Sequence, residues 1–158
     1  MKPIQEWLDE YGESHQNSIN KKIHWVCVPA IMFSIIGLFW SIPHQYMPII
    51  YDNIRLNWAM IITILILTFY VRLSMVMALG MFTIGILILC GNILVEYYFV
   101  TPLWRISLYT FVIAWIGQFV GHKIEGKKPS FFQDFQFLLI GPAWLLSFMY
   151  NKLGIKYE

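Results

Sequence analysis

The stretch that decides the fold is residues 56–95, LNWAMIITILILTFYVRLSMVMALGMFTIGILILCGNILV, in which Arg72 is the only charged side chain. As one straight helix, rising about 1.5 Å per residue, it would reach roughly twice the ~30 Å thickness of a bilayer core. The chain must therefore fold back near Arg72 and leave that side chain at a surface. No Gly or Pro marks the turn. Two antiparallel spans follow, Leu56–Val71 and Leu73–Val95.

Working outward, residues 23–51 contain no Asp, Glu, Lys or Arg, which gives a first span over His24–Trp40 that stops before Pro43. The segment Pro43–Arg55 reads as a loop, and His44 within it as a plain loop residue. Beyond the central pair, Glu96–Arg105 carries Pro102 and the aromatics Tyr97, Tyr98 and Phe99, an interfacial belt. Ile106–Val120 is a fourth span. Phe135–Tyr150 contains Gly141-Pro142 and reads as a short fifth span kinked at Pro142, with a re-entrant hairpin as the alternative. Ahead of everything, Pro3–His15 places Ile4, Trp7, Leu8 and Tyr11 on one side, as an amphipathic helix at the interface does.

Composition agrees. The chain has 158 residues, 58% hydrophobic and 13% charged, with mean hydropathy +0.60. A small soluble domain cannot hide that much apolar surface. The expected class is an all-α polytopic membrane bundle, one domain over residues 1–158, with about five membrane segments. A net charge of +2 is too small and scattered for nucleic acid. Cys27 and Cys90 fall in apolar runs and read as small buried hydrophobes. Glu6, Asp9, Glu10 and Glu13 stand where a cleavable signal would carry basic charge.

Counting crossings puts the N-terminal segment, the Arg72 turn and the 121–134 loop on one side. That side holds Lys2, Lys21, Lys22, Arg72, Lys123, Lys127 and Lys128, and so is expected to be cytoplasmic, in a bacterial inner membrane. It also holds His15, His24 and His122. Neutral imidazole is the commonest ligand for zinc, iron and copper, and ionisable groups in a membrane need a reason to be there. A helix break at Asn17–Asn20 can bend His15 toward His24. Glu13, Glu125 and Asp134 offer carboxylates, and open positions on such a site suit oxygen chemistry.

Other readings stand beside this one. The histidines can be interfacial anchors of a membrane scaffold or transporter subunit, or His24 and His122 can ligate a haem. Lys127-Lys128 reads as a headgroup feature, Gln118 as a bond across helices, and Gly117, Gly121 and Gly126 as packing or turn glycines.

The residues Tyr11…Ser14-His15…Asn20…His24…Val28-Pro29, with Gln118-Phe119-Val120-Gly121-His122…Glu125…Lys128-Pro129…Gly141-Pro142, resemble the fungal 2-hydroxy fatty acid dioxygenase family of phytosphingosine alpha-oxidation, small multi-span membrane proteins. The resemblance implies an Fe(II) enzyme that takes a 2-hydroxy fatty acid and O2 to the acid one carbon shorter, CO2 and water. It implies His15, His24 and His122 as metal ligands. Glu125, Glu13 and Asn20 become supporting catalytic groups, and Lys123, Lys127 and Lys128 hold the substrate carboxylate.

Overall fold

The computed structural model describes residues 2–51, 54–126 and 136–157. Six helices account for nearly all of it: α1 (Ile4–Glu13), α2 (Ser18–Trp40), α3 (Trp58–Leu73), α4 (Met75–Tyr98), α5 (Leu103–Glu125) and α6 (Gln136–Leu153). The connection after α2 carries a minimal antiparallel pair, β1 (Ile49–Tyr51) and β2 (Ile54–Arg55). The fold is all-α and the protein is a membrane protein. Helices α2, α4 and α5 are each long and apolar enough to cross a bilayer, while α3 and α6 are shorter apolar helices.

Side chains at the joints set the boundaries. The fold-back expected near Arg72 occurs at Ser74, whose extended backbone ends α3 and whose hydroxyl accepts from Met77 N, capping α4. A serine cap thus does what Gly or Pro does elsewhere. Arg72 is exposed. The break before α2 falls at Ser14–Asn17 and not at Asn17–Asn20: Asn17 caps α2 by accepting from Ile19 N at 2.8 Å, so Ser18 and Asn20 are already helical. Helix α4 runs on to Tyr98 and α5 starts at Leu103, which shortens the expected 96–105 loop to a few residues.

The strongest packing is between α2 and α5. Gly117 and Gly121 face α2, where a methyl group would strike Cys27 and Asn20 respectively; this is the small-xxx-small spacing that lets two helices approach closely. Cys27 is half-buried in that seam, but Cys90 is exposed on α4 rather than buried, because its helix face is turned outward.

Of the two readings for the last segment, the contacts favour a return to the starting side. Near the start of α6 the Leu139 carbonyl accepts from Tyr70 Oη, near its end Tyr150 Oη donates to Val76 O, and beyond it the Tyr157 carbonyl accepts from Ser74 Oγ. All three partners lie within a turn or so of the Ser74 corner. Helix α6 therefore lies across one end of the bundle. The apolar stripe of α1 (Ile4, Trp7, Leu8, Tyr11) is buried, and it packs along α6. Together α1 and α6 roof the end at which the chain enters the bundle.

Candidate metal centre

Beneath that roof three imidazoles meet. His15 comes from the corner between α1 and α2, His24 from the second turn of α2, and His122 from the last turn of α5; they are 1%, 0% and 2% exposed. Their ligand-capable atoms all lie within 4.8 Å of one another. Ring centroids are 4.3 Å apart for His15 and His24, 4.9 Å for His15 and His122, and 5.0 Å for His24 and His122. Crossing parity brought the three to one side, and the Gly117–Gly121 seam draws α5 onto α2 closely enough for contact.

The tautomers follow from the neighbours. His15 Nδ1 lies 2.6 Å from Tyr11 O and His24 Nδ1 lies 2.9 Å from Asn20 O. A carbonyl can only accept, so each Nδ1 donates and each Nε2 presents a lone pair. The two Nε2 atoms face each other at 3.0 Å. Facing lone pairs repel unless a cation lies between them. Two nitrogens at about 2.1 Å from one ion and a right angle apart would stand about 3 Å from each other. The donor set therefore fits a metal. Burial, with the adjacent His24, pushes His15 down to about 3, so it stays neutral, as a metal would require of it. Tyr11 stacks on the His15 ring at 4.2 Å, and Trp144 of α6 lies 5.2 Å away on a tilt.

Glu125 is not in the cluster. Its carboxylate accepts from Gln16 N at 2.8 Å, from Asn17 N at 2.9 Å and from Asn20 Nδ2 at 3.0 Å. It clamps the His15-bearing corner to the end of α5 and adds an anion at the start of α2, where the helix dipole favours one. Asn20 is fully buried: its amide meets Glu125, its backbone carbonyl orients His24, and its Oδ1 approaches Gly121. Glu13 and Lys123 are exposed, outside the three-imidazole cluster, while Lys127, Lys128 and Asp134 lie outside the described residues. His44 is half-buried in the connection after α2, away from the other three, its Nδ1 donating to Ile42 O. The contact between His24 and His122 leaves no gap for a porphyrin plane.

Two neighbours carried a signal that spacing alone could have revealed. Tyr11 and Gln118 each precede a site histidine by four residues, one helical turn on the same face. Gln118 is buried on α5. It also lines an apolar cavity of about 500 Å³ that opens beside the imidazoles.

A family model described as "2-hydroxy-palmitic acid dioxygenase Mpo1-like" matches residues 1–153. The chain belongs to this Mpo1-like family. A curated relative, the 2-hydroxy-palmitic acid dioxygenase MPO1 of Saccharomyces cerevisiae, is 30% identical over 149 residues, covering 93% of this chain and 79% of the yeast protein. No solved structure matches. The Mpo1-like match runs through both histidine-bearing ends and the apolar middle alike.

Proposed function

We propose that this chain is an iron(II)-dependent dioxygenase that converts a 2-hydroxy fatty acid and O2 into the fatty acid one carbon shorter, CO2 and water. The observation that carries the reading is the pair of opposed Nε2 lone pairs at 3.0 Å with His122 beside them, in a chain whose family is named for such an activity. The atoms balance without another reductant: oxidising the hydroxyl-bearing carbon to a carboxyl and releasing the old carboxyl as CO2 yields the four electrons that O2 accepts.

His15, His24 and His122 would hold the metal, which supplies oxygen activation through positions the protein leaves open. The remaining groups do positional work. The Tyr11 and Asn20 carbonyls fix two imidazole rings through Nδ1, a support that raises ligand basicity and sets orientation. Glu125 and Asn20 hold the corner that carries His15. Helices α1 and α6 exclude water from above. Lys123, exposed at the rim, would draw a carboxylate toward the site electrostatically; Lys127 and Lys128 would extend that field. The basic residues of the site side, now joined by Lys156 beside the returned tail, outnumber Arg55 and Arg105 opposite, which favours a cytoplasmic site.

The test is metal analysis of protein purified without a polyhistidine tag, followed by incubation with a 2-hydroxy fatty acid, O2 and Fe(II). Stoichiometric iron and a chain-shortened acid are expected, both lost in His15→Ala, His24→Ala and His122→Ala. Full iron retention in all three variants would remove the ligand assignment. Iron-loaded, folded protein that leaves the 2-hydroxy acid intact would remove the activity and favour a scaffold.

A further inference from the structure

The cavity beside the imidazoles has a direction. Its site end is formed by Tyr11, Gln118, Tyr70 and the Gly141-Pro142 start of α6, and its far end by Phe39, Ile62 and Ile88. Along α2 it runs from Val28 to Phe39, eleven residues or roughly 16 Å of helix, the length of an extended alkyl chain of about a dozen carbons. Its volume of about 500 Å³ lies within the usual range of ligand sites.

Polarity is distributed as unevenly as a fatty acid's own. At the far end the lining is aliphatic or aromatic. Of the lining hydroxyls, Thr63 donates to Ala59 O and Tyr70 to Leu139 O, which leaves neither turned to the cavity's length. At the site end, Gln118 Nε2 is buried, and among the described residues no acceptor lies within hydrogen-bonding range. A buried donor without an acceptor is costly unless a ligand supplies one.

We infer that this cavity holds the tail of a single-chain 2-hydroxy acid lengthwise, with Gln118 Nε2 donating to an oxygen of its head, and that Phe39 and Ile62 set the longest tail accepted. The inference rests on the dioxygenase reading for the head-group chemistry, and the cavity supplies the ruler.

The experiment offers the full chain, in phosphatidylcholine nanodiscs, an equimolar series of saturated 2-hydroxy acids from short to long. The acids retained after washing and the chain-shortened products are both identified by mass spectrometry. Ile62→Phe should cut the longest acid retained, with each methylene beyond the new floor costing about tenfold or more. Phe39→Ala should extend it, and Ile64→Phe, on an exposed face of α3, should leave the profile alone. Gln118→Leu should weaken retention of 2-hydroxy acids about tenfold without moving the length limit.

Opposite shifts in the two floor variants establish the ruler. Shifted retention with no product keeps the ruler and overturns the dioxygenase reading. Product formation with an unshifted length profile in both floor variants overturns the ruler and keeps the reading. Absence of any retained acid in the parent protein overturns the cavity assignment.

Discussion

Helix α2 presents two faces that could hardly be packed more differently. Toward α5 it meets glycines and short polar groups: Gly117 and Gly121 receive Cys27 and Asn20, and Gly37 receives Ser107, with Asn92 of α4 closing the far end of the seam. Toward α3 and α4 it offers Val28, Ile31, Met32, Ile35, Ile36 and Phe39, and the helices stand off around a cavity of about 500 Å³. One face closes because nothing protrudes, and without a hydrophobic drive in lipid such close contact is what holds helices together. The other face stays open because its side chains meet end to end. The closed face fixes imidazoles on two helices to within contact, while the open one leaves room for a long apolar guest. A metal site needs the first property and a lipid substrate the second.

The comparison can be broken at Gly121. Leu there collides with Asn20 and pries α5 from α2 just where His122 must reach His24. We expect loss of at least 1–3 kcal/mol in stability, the usual cost of overpacking, with metal no longer retained; thermal midpoint and metal content report both. Glu125→Gln weakens the clamp on Gln16, Asn17 and Asn20 and leaves the seam intact. Its expected effect is a metal affinity about 10- to 100-fold lower, read by competition with a chelator, in a protein that remains folded. Gly37→Ala strikes Ser107 and Asn92 far from the site. A stability loss of about 1–3 kcal/mol with unchanged metal content would show that the seam's two ends are separable. Asn17→Ala removes the cap of α2 and should cost about 1 kcal/mol. Smallest of all is Gly85→Ala on the cavity side, where the new methyl would meet only Thr63 Cγ2 at 3.3 Å. An effect within about 0.5 kcal/mol is expected, and a large one would mean that the open face is as tight as the closed one.

Much of this was readable from residue order alone. The run of residues 56–95 forced a hairpin, and crossing parity then placed His15, His24 and His122 at one end. Both conclusions depend on lengths and counts, which lipid thickness constrains tightly. Fine positions were harder. The turn sits at Ser74 because a hydroxyl cap was available there, and no composition rule singles out one serine. Glu125 looked like a ligand because it follows His122 by three residues, yet the backbone N–H groups of Gln16 and Asn17 claim it. Those donors are over a hundred residues away in the chain. The outward face of Cys90, the course of α6 across the bundle end and the cavity itself are properties of several helices at once, which local pattern does not encode.

The order of the segments along the chain has a bearing on how the site is filled. All three imidazoles have been synthesised by residue 122, whereas the roof contributed by Phe137, Gly141 and Trp144 emerges only afterwards. During biogenesis there is thus an interval in which the imidazoles can already converge with only α1 over them. On the proposed metal reading, a metal donor would have access then that it would lose once α6 settles, so insertion would be matched to the moment of membrane integration and exchange in the finished protein would be slow.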